Sequence, residues 1–235
     1  MNKFIFDVDG TLTPSRQSIN TEFQEWFLDF TKRNKCWLVT GSDYPKTLEQ
    51  LGKDICESVH SVYNCNGNDV WFKGKRVNSS DWTLPEAPHE WLSNRLTDSG
   101  FPKRCGIHFE HRPGMVNFSI VGRGANANDR AHYVKWDKDT NERNDIASTF
   151  NHLFPELEAK VGGETGIDIA PKGKDKSQIL EDFNESDKIF FFGDAMYEGG
   201  NDEPLAKSIV DNNRGVCYNI QNWQQTWTIL KEHDN

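Results

Sequence analysis

Lys3-Phe4-Ile5-Phe6-Asp7-Val8-Asp9-Gly10-Thr11-Leu12-Thr13 runs an apolar segment straight into two carboxylates and a turn. A short apolar run that stops at polar and small residues is the pattern of a buried strand, here one that delivers Asp7 at its C-terminal end. The arrangement recurs. Cys36-Trp37-Leu38-Val39 leads into Thr40-Gly41-Ser42-Asp43, Lys188-Ile189-Phe190-Phe191-Phe192 leads into Gly193-Asp194, and Gly215-Val216-Cys217-Tyr218 closes the series. Between the first two strands, Thr21-x-x-Gln24 fits a capping box, and Ile19, Phe23, Trp26, Phe27 and Phe30 recur at helical spacing. A second helix is expected from about Tyr44 to Gly52, then a strand near Ser61-Val62-Tyr63. Strand and helix in alternation predict an α/β fold with a Rossmann-like parallel-sheet core and helices on both faces.

From Thr83 to Ala170 the texture changes. Polar and apolar residues alternate in Arg104-Cys105-Gly106-Ile107-His108-Phe109-Glu110 and in Met115-Val116-Asn117-Phe118-Ser119-Ile120. This predicts half-exposed antiparallel strands joined by the turn Arg112-Pro113-Gly114. A hydrophilic helix is expected around Lys135 to Asp145. The reading is a core of residues 1–82 and 171–235 interrupted by an inserted α+β cap of residues 83–170.

A formal charge of −9 disfavours nucleic acid and anionic membrane as partners, since both would repel the molecule's overall field. The chain opens Met-Asn-Lys directly before its first strand, without the apolar core of a signal peptide. It has no run approaching the roughly 20 apolar residues of a membrane span, so a cytoplasmic protein is expected. Five scattered cysteines without a C-x-x-C pair read as reduced thiols.

Ligands of open α/β sheets gather beyond the carboxyl ends of the strands, so Asp7, Thr40 and Asp194 are expected to converge there. An ionised carboxylate attacks phosphorus once a magnesium ion neutralises the repulsion between the two anions. Asp7 suits the nucleophile. Asp9, on the same loop, suits the general acid and base. The expected Mg2+ set is Asp7, Asp9 through its backbone carbonyl, Asp194 and Asp202, the last orienting a metal-bound water or the loop. Arg16 in the core and Arg112, Arg123 and Arg130 in the cap form a set of guanidinium groups suited to bidentate phosphate recognition.

The string D-V-D-G-T-L-T near the start, paired with F-F-G-D-x-x-x-x-G-G-N-D near the end, resembles the haloacid dehalogenase superfamily of phosphotransferases. Asp7 and Asp9 match its first motif. Thr40 matches the second, a phosphate donor, with Ser42 as the alternative. Lys176 in Gly173-Lys174-Asp175-Lys176 matches the third, a phosphate-binding lysine, with Lys172 and Lys174 as competitors, and Asp194 and Asp202 match the fourth.

The cap carries a narrower resemblance. His108-Phe109-Glu110-His111-Arg112-Pro113-Gly114-Met115-Val116-Asn117-Phe118-Ser119, with Gly122-Arg123, Asp129-Arg130, Leu12-Thr13-Pro14-x-Arg16 and Gly162-Gly163-x-x-x-x-Asp168, is similar to the C2-type cap and flanking motifs of eukaryotic-type phosphomannomutases. That resemblance implies that the arginines hold the non-reacting phosphate of a hexose phosphate, that Asp168 contacts sugar hydroxyls, and that the chain forms a homodimer through the cap. Where the family has a serine two residues before that aspartate, this chain has Gly166, with Thr165 as a substitute donor.

The expected activity is interconversion of mannose 6-phosphate and mannose 1-phosphate through an aspartyl-phosphate on Asp7. The alternative is a Mg2+-dependent sugar-phosphate phosphatase using the same aspartates. A non-enzymatic binding protein on the same fold is the third reading, and the complete set of catalytic residues stands against it.

Overall fold

The run ahead of Asp7 forms strand β1 (Asn2–Phe6) in a computed structural model that describes residues 2–233. Its side chains alternate between two clusters. Phe4 and Phe6 pack with Phe23, Phe27 and Phe30 of helix α1 (Thr21–Arg33), and Ile5 packs with Val39 and Phe191 on the other face. The cap of α1 lies one residue before the expected capping box: the Asn20 side chain accepts from the amides of Glu22 and Phe23, satisfying two first-turn donors.

Strand β2 (Cys36–Val39), helix α2 (Tyr44–Ser58) and strand β3 (Ser61–Asn64) follow. Gly52, expected to end α2, kinks it instead at φ +78°, a conformation glycine adopts without steric cost. Ile55 and Cys56 then keep the buried face going.

The sheet is not wholly parallel. Strands β4 (Asp69–Phe72) and β5 (Lys75–Ser79) form a hairpin that adds to β3 antiparallel, turned by Lys73 and Gly74, both at positive φ. This hairpin has no counterpart in the sequence expectations.

Residues Asp81–Lys172 form a separate unit, and Met1–Ser80 with Gly173–Asn235 form the other. The inserted unit contains helix α3 (Glu86–Asp98), strands β6 (Phe109–Arg112) and β7 (Met115–Phe118), helices α4 (Ala127–Thr140) and α5 (Glu142–Leu153), and strands β8 (Leu157–Gly162) and β9 (Gly166–Pro171). Its four-stranded sheet runs β6-β7-β9-β8, antiparallel throughout. Val116, Phe118, Ile167 and Ile169 share a buried cluster with Leu92, Tyr133 and Phe150. Strand alternation therefore puts Asn117 and Asp168 on the opposite face.

Two expectations about this unit are corrected. Residues 104–108 do not join β6, because the Arg104 guanidinium is tied to the carbonyls of Leu96, Ser99, Phe101 and Lys103. The helix expected over 135–145 is two helices, broken at Asn141 in the left-handed conformation that asparagine tolerates.

The chain returns to the first unit with a 3-10 helix (Lys176–Asp182), strand β10 (Lys188–Gly193), helix α6 (Glu203–Asp211), strand β11 (Gly215–Asn219) and helix α7 (Trp223–His233). Among the described residues the seven-stranded sheet runs β11-β10-β1-β2-β3-β4-β5, and β1 lies parallel to both β10 and β2. Among the described residues, no helix is long and apolar enough to cross a membrane. Among the described residues, none of the five cysteines forms a disulfide.

Candidate active site

Parallel pairing of Phe6 with Phe192 and with Leu38 brings the residues after β10, β1 and β2 to one end of the sheet. The Asp7 amide donates to Phe192 O at 2.9 Å and continues the ladder one residue past the strand. Asp7 is thereby fixed and buried.

Lys176, from the 3-10 helix, donates through Nζ to Asp7 Oδ1 at 2.5 Å and to Asp202 Oδ1 at 2.7 Å. Asp202 Oδ2 accepts from the Ala195 amide at 3.0 Å. Carboxylate oxygens of Asp7, Asp194 and Asp202 lie within 4.8 Å of one another. Gly10 makes room for this group: at φ +76° it passes so close to Asp194 that an added Cβ would fall 2.6 Å from Cγ.

Three carboxylates facing one ammonium leave an excess of negative charge. Burial, opposed by Lys176 and reinforced by Asp202 and Asp194, raises the Asp7 carboxyl to about 8. Burial and Asp202 likewise raise Asp194. Burial acts to lower Lys176, but the carboxylates of Asp202 and Asp7 outweigh it and hold the ammonium above its usual range. These hard oxygen donors and their uncompensated charge fit a divalent cation such as Mg2+.

Asp9 is not in this carboxylate group. Its Oδ1 accepts from the Arg16 amide at 2.6 Å and from Gln50 Nε2 at 2.9 Å. Arg16 itself takes the left-handed conformation, φ +58°, and its side chain is exposed. Gln50 is 1% exposed and escaped the sequence reading. Its only signal is a polar residue on the buried face of α2, near Thr47 and Leu51.

Thr40 is buried at the end of β2, where its Oγ1 accepts from the Ser42 amide at 3.1 Å. Of the three candidate lysines, Lys176 reaches the carboxylates, whereas Lys172 and Lys174 lie nearer the surface. Asn66 was also missed. At φ +59° it donates its amide to Thr40 O, and its Oδ1 is buried without a partner among the described residues.

Within the inserted unit, Arg112 Nη2 and Arg123 Nε both meet Glu110 Oε2, at 3.0 and 2.6 Å. Arg130 is held apart from that pair by Glu164, through Nη2 at 2.7 Å and Nε at 3.2 Å. Asp168 Oδ1 accepts from Asn117 Nδ2 at 2.6 Å. Each arginine keeps further N–H groups for an anion, since a guanidinium carries five.

A family model described as eukaryotic phosphomannomutase matches residues 23–234. The phosphomannomutase of Saccharomyces cerevisiae is 32% identical over 240 residues, covering 97% of this chain and 92% of that protein. The probable phosphomannomutase of Caenorhabditis elegans is 33% identical over 251 residues, covering 98% and 96%. Among solved structures, a trehalose-6-phosphate phosphatase related protein aligns with a TM-score of 0.55 at 16% identity, covering 99% of this chain and 96% of that one. Plasmodium falciparum IMP-nucleotidase aligns at 0.60 and 14% identity, covering 98% and 67%. At these identities the structures establish a shared fold alone.

Proposed function

Because this chain belongs to the eukaryotic phosphomannomutase family, we propose that it interconverts mannose 6-phosphate and mannose 1-phosphate through an aspartyl-phosphate on Asp7. The observation that carries this reading is the buried Asp7-Lys176-Asp202 triad with Asp194 beside it. A Mg2+ ion held by Asp7, Asp194 and the Asp9 carbonyl, with Asp202 beside them, would screen the approach of one anion to another.

Lys176 occupies Asp7 Oδ1, so Oδ2 is the attacking oxygen. As the bond from Oδ2 to one phosphorus of a hexose 1,6-bisphosphate forms, the bond from that phosphorus to the sugar oxygen breaks, Asp9 gives that oxygen a proton, and a hexose monophosphate is left. In the second half Asp9 takes the proton from the incoming sugar hydroxyl while the phosphoryl group leaves Asp7. Gln50 and the Arg16 amide engage one Asp9 oxygen, leaving Oδ2 for this transfer. Thr40 and Lys176 bind the transferring phosphoryl group. Arg112, Arg123 and Arg130 take the phosphate that does not react, Asp168 takes the sugar, and Arg16 is a further substrate-binding residue.

Gly166 favours a second reading, hydrolysis of a sugar phosphate by the same residues. Without a hydroxyl at 166 the far phosphate has one donor fewer, and water competes better for Asp7. The proposed setting is the cytoplasm, where free thiols persist, with a homodimer formed through the cap.

The deciding assay supplies mannose 1-phosphate, Mg2+ and a catalytic amount of a hexose 1,6-bisphosphate, followed by phosphorus NMR. Mannose 6-phosphate is the expected product. Inorganic phosphate alone would reject the mutase in favour of the phosphatase.

A further inference from the structure

On the face of the cap sheet opposite its buried apolar cluster, Glu110, Asn117, Asp168 and Lys160 stand opposite one another across four strands. Glu110 anchors Arg112 and Arg123 at one end of this row. Asn117 links that anion-binding end to Asp168, to which it donates at 2.6 Å. Its side chain is 6% exposed, and Oδ1 finds no partner among the described residues. A carboxamide left half-satisfied costs stability, so its placement calls for a reason beyond packing.

Gly166 supplies the space. A Cβ there would overlap the Asn117 amide nitrogen and fall 2.9 Å from Oδ1, so any side chain at 166 must displace the amide. Gly162, paired directly with Gly166, does the same for Asp168, whose Cγ would lie 2.9 Å from an added Cβ. The two glycines together clear the ground on which Asn117 and Asp168 meet.

We propose that Asn117 is the positioning residue for Asp168, occupying the place that a side chain at 166 would hold, and that the Gly166–Asn117 pair sets this chain's sugar preference. The inference rests on Asp168 reading the sugar, as proposed above. Restoring the family's serine at 166 alone then expels the amide and leaves Asp168 unheld.

The test measures kcat and KM of the full chain with Mg2+ on mannose 1-phosphate and on its monodeoxy analogues, for wild type, Asn117→Ala, Asn117→Asp and Gly166→Ser. Asn117→Ala is expected to raise KM for mannose 1-phosphate about tenfold, with kcat within about threefold, the scale of one hydrogen bond to a charged group. Discrimination against the deoxy sugar that wild type rejects most should shrink toward unity.

Asn117→Asp, though isosteric, should be worse than alanine, because it sets two carboxylates face to face. Gly166→Ser should lose activity alone and add nothing to Asn117→Ala. Asn117→Asp outperforming alanine, equal losses on every sugar, or a gain from Gly166→Ser would each overturn the inference. Gly166→Ala, which adds only the Cβ, carries the same test if Asn117→Ala does not fold. A wild-type chain that turns over no hexose phosphate overturns the substrate reading and this inference with it, whereas the other failures touch Asn117 alone.

Discussion

Gln50 Nε2 lies 2.9 Å from Asp9 Oδ1, so a fully buried residue of α2 holds one oxygen of the proposed general acid. The hold is oriented: Oδ1 takes both the Gln50 side chain and the Arg16 amide.

Gln50→Leu keeps much of the volume but removes the donor. Turnover of a hexose phosphate, whose alkoxide must be protonated as it leaves, should fall by about 10- to 100-fold, within the range general acid–base catalysis supplies. Turnover of p-nitrophenyl phosphate, whose leaving group needs no proton, should change less than about threefold, since no proton transfer is lost there. Equal losses on both would mean that Gln50 supports the loop and not the proton transfer.

Lys176→Met removes the one ammonium between Asp7 and Asp202, both buried. Breaking a buried ion pair on one side costs about 3–5 kcal/mol. For a chain of this size that is a melting temperature lower by roughly 10 °C. Calorimetry of the metal-free protein reads it, and an unchanged melting point would show that the triad contributes nothing to stability.

The raised carboxyl of Asp7 gives a pH dependence whose sign can be worked out. Its ordinary value is 3.8 and burial takes it to about 8, so between those values the folded chain keeps a proton that the unfolded chain releases. Stability is therefore fully present below 3.8 and is lost as pH rises toward 8, at most about 1.4 kcal/mol per pH unit for one proton. Asp194 is shifted the same way. In a chelator, melting temperature should drop from about pH 5 to about pH 8, Asp7→Asn should flatten that slope, and Mg2+ should stabilise more at the higher pH than at the lower. An identical slope in Asp7→Asn would sink the assignment.

Arg123→Ala separates the two phosphates. It removes a charged donor held 2.6 Å from Glu110. Its kcat/KM on mannose 1-phosphate should fall about 10- to 100-fold, as for a lost charge-assisted hydrogen bond. Acetyl phosphate, which has no distal anion, should lose far less, and equal losses would argue against a distal site.

What the sequence discloses follows from how local each signal is. The strand before Asp7 is legible because an unbroken apolar run that stops at carboxylates fits little besides a buried strand opening onto a polar site, and the same holds for Phe190-Phe191-Phe192 before Asp194. The β4–β5 hairpin is not, since the exposed residues of β5 carry no apolar alternation. The capping box at Thr21 misleads because Asn20, one residue earlier, is the better acceptor. Gln50, Asn66 and Asn117 stay silent for a different reason: each is one polar residue in an otherwise ordinary element, and its meaning lies in a partner supplied by tertiary structure. Lys176 is the match the sequence favours over Lys172 and Lys174, and its burial, a property of the folded chain, sets it apart from both.

The pairing of β1 with β10 also has a cost during synthesis. Phe6 lies beside Phe192, and the Asp7 carboxylate meets an ammonium 169 residues away. At roughly 5–20 residues per second on a ribosome, β1 waits on the order of ten seconds or more for its neighbour. Through that interval Phe4 and Phe6 lack their stacking partners Phe190 and Phe192, and one strand edge has no mate. The cap, whose sheet is made from one continuous stretch, carries no such delay. In a cell the nascent chain therefore carries its first strand without this neighbour until Lys188–Gly193 has been made, the form in which chaperones would meet it.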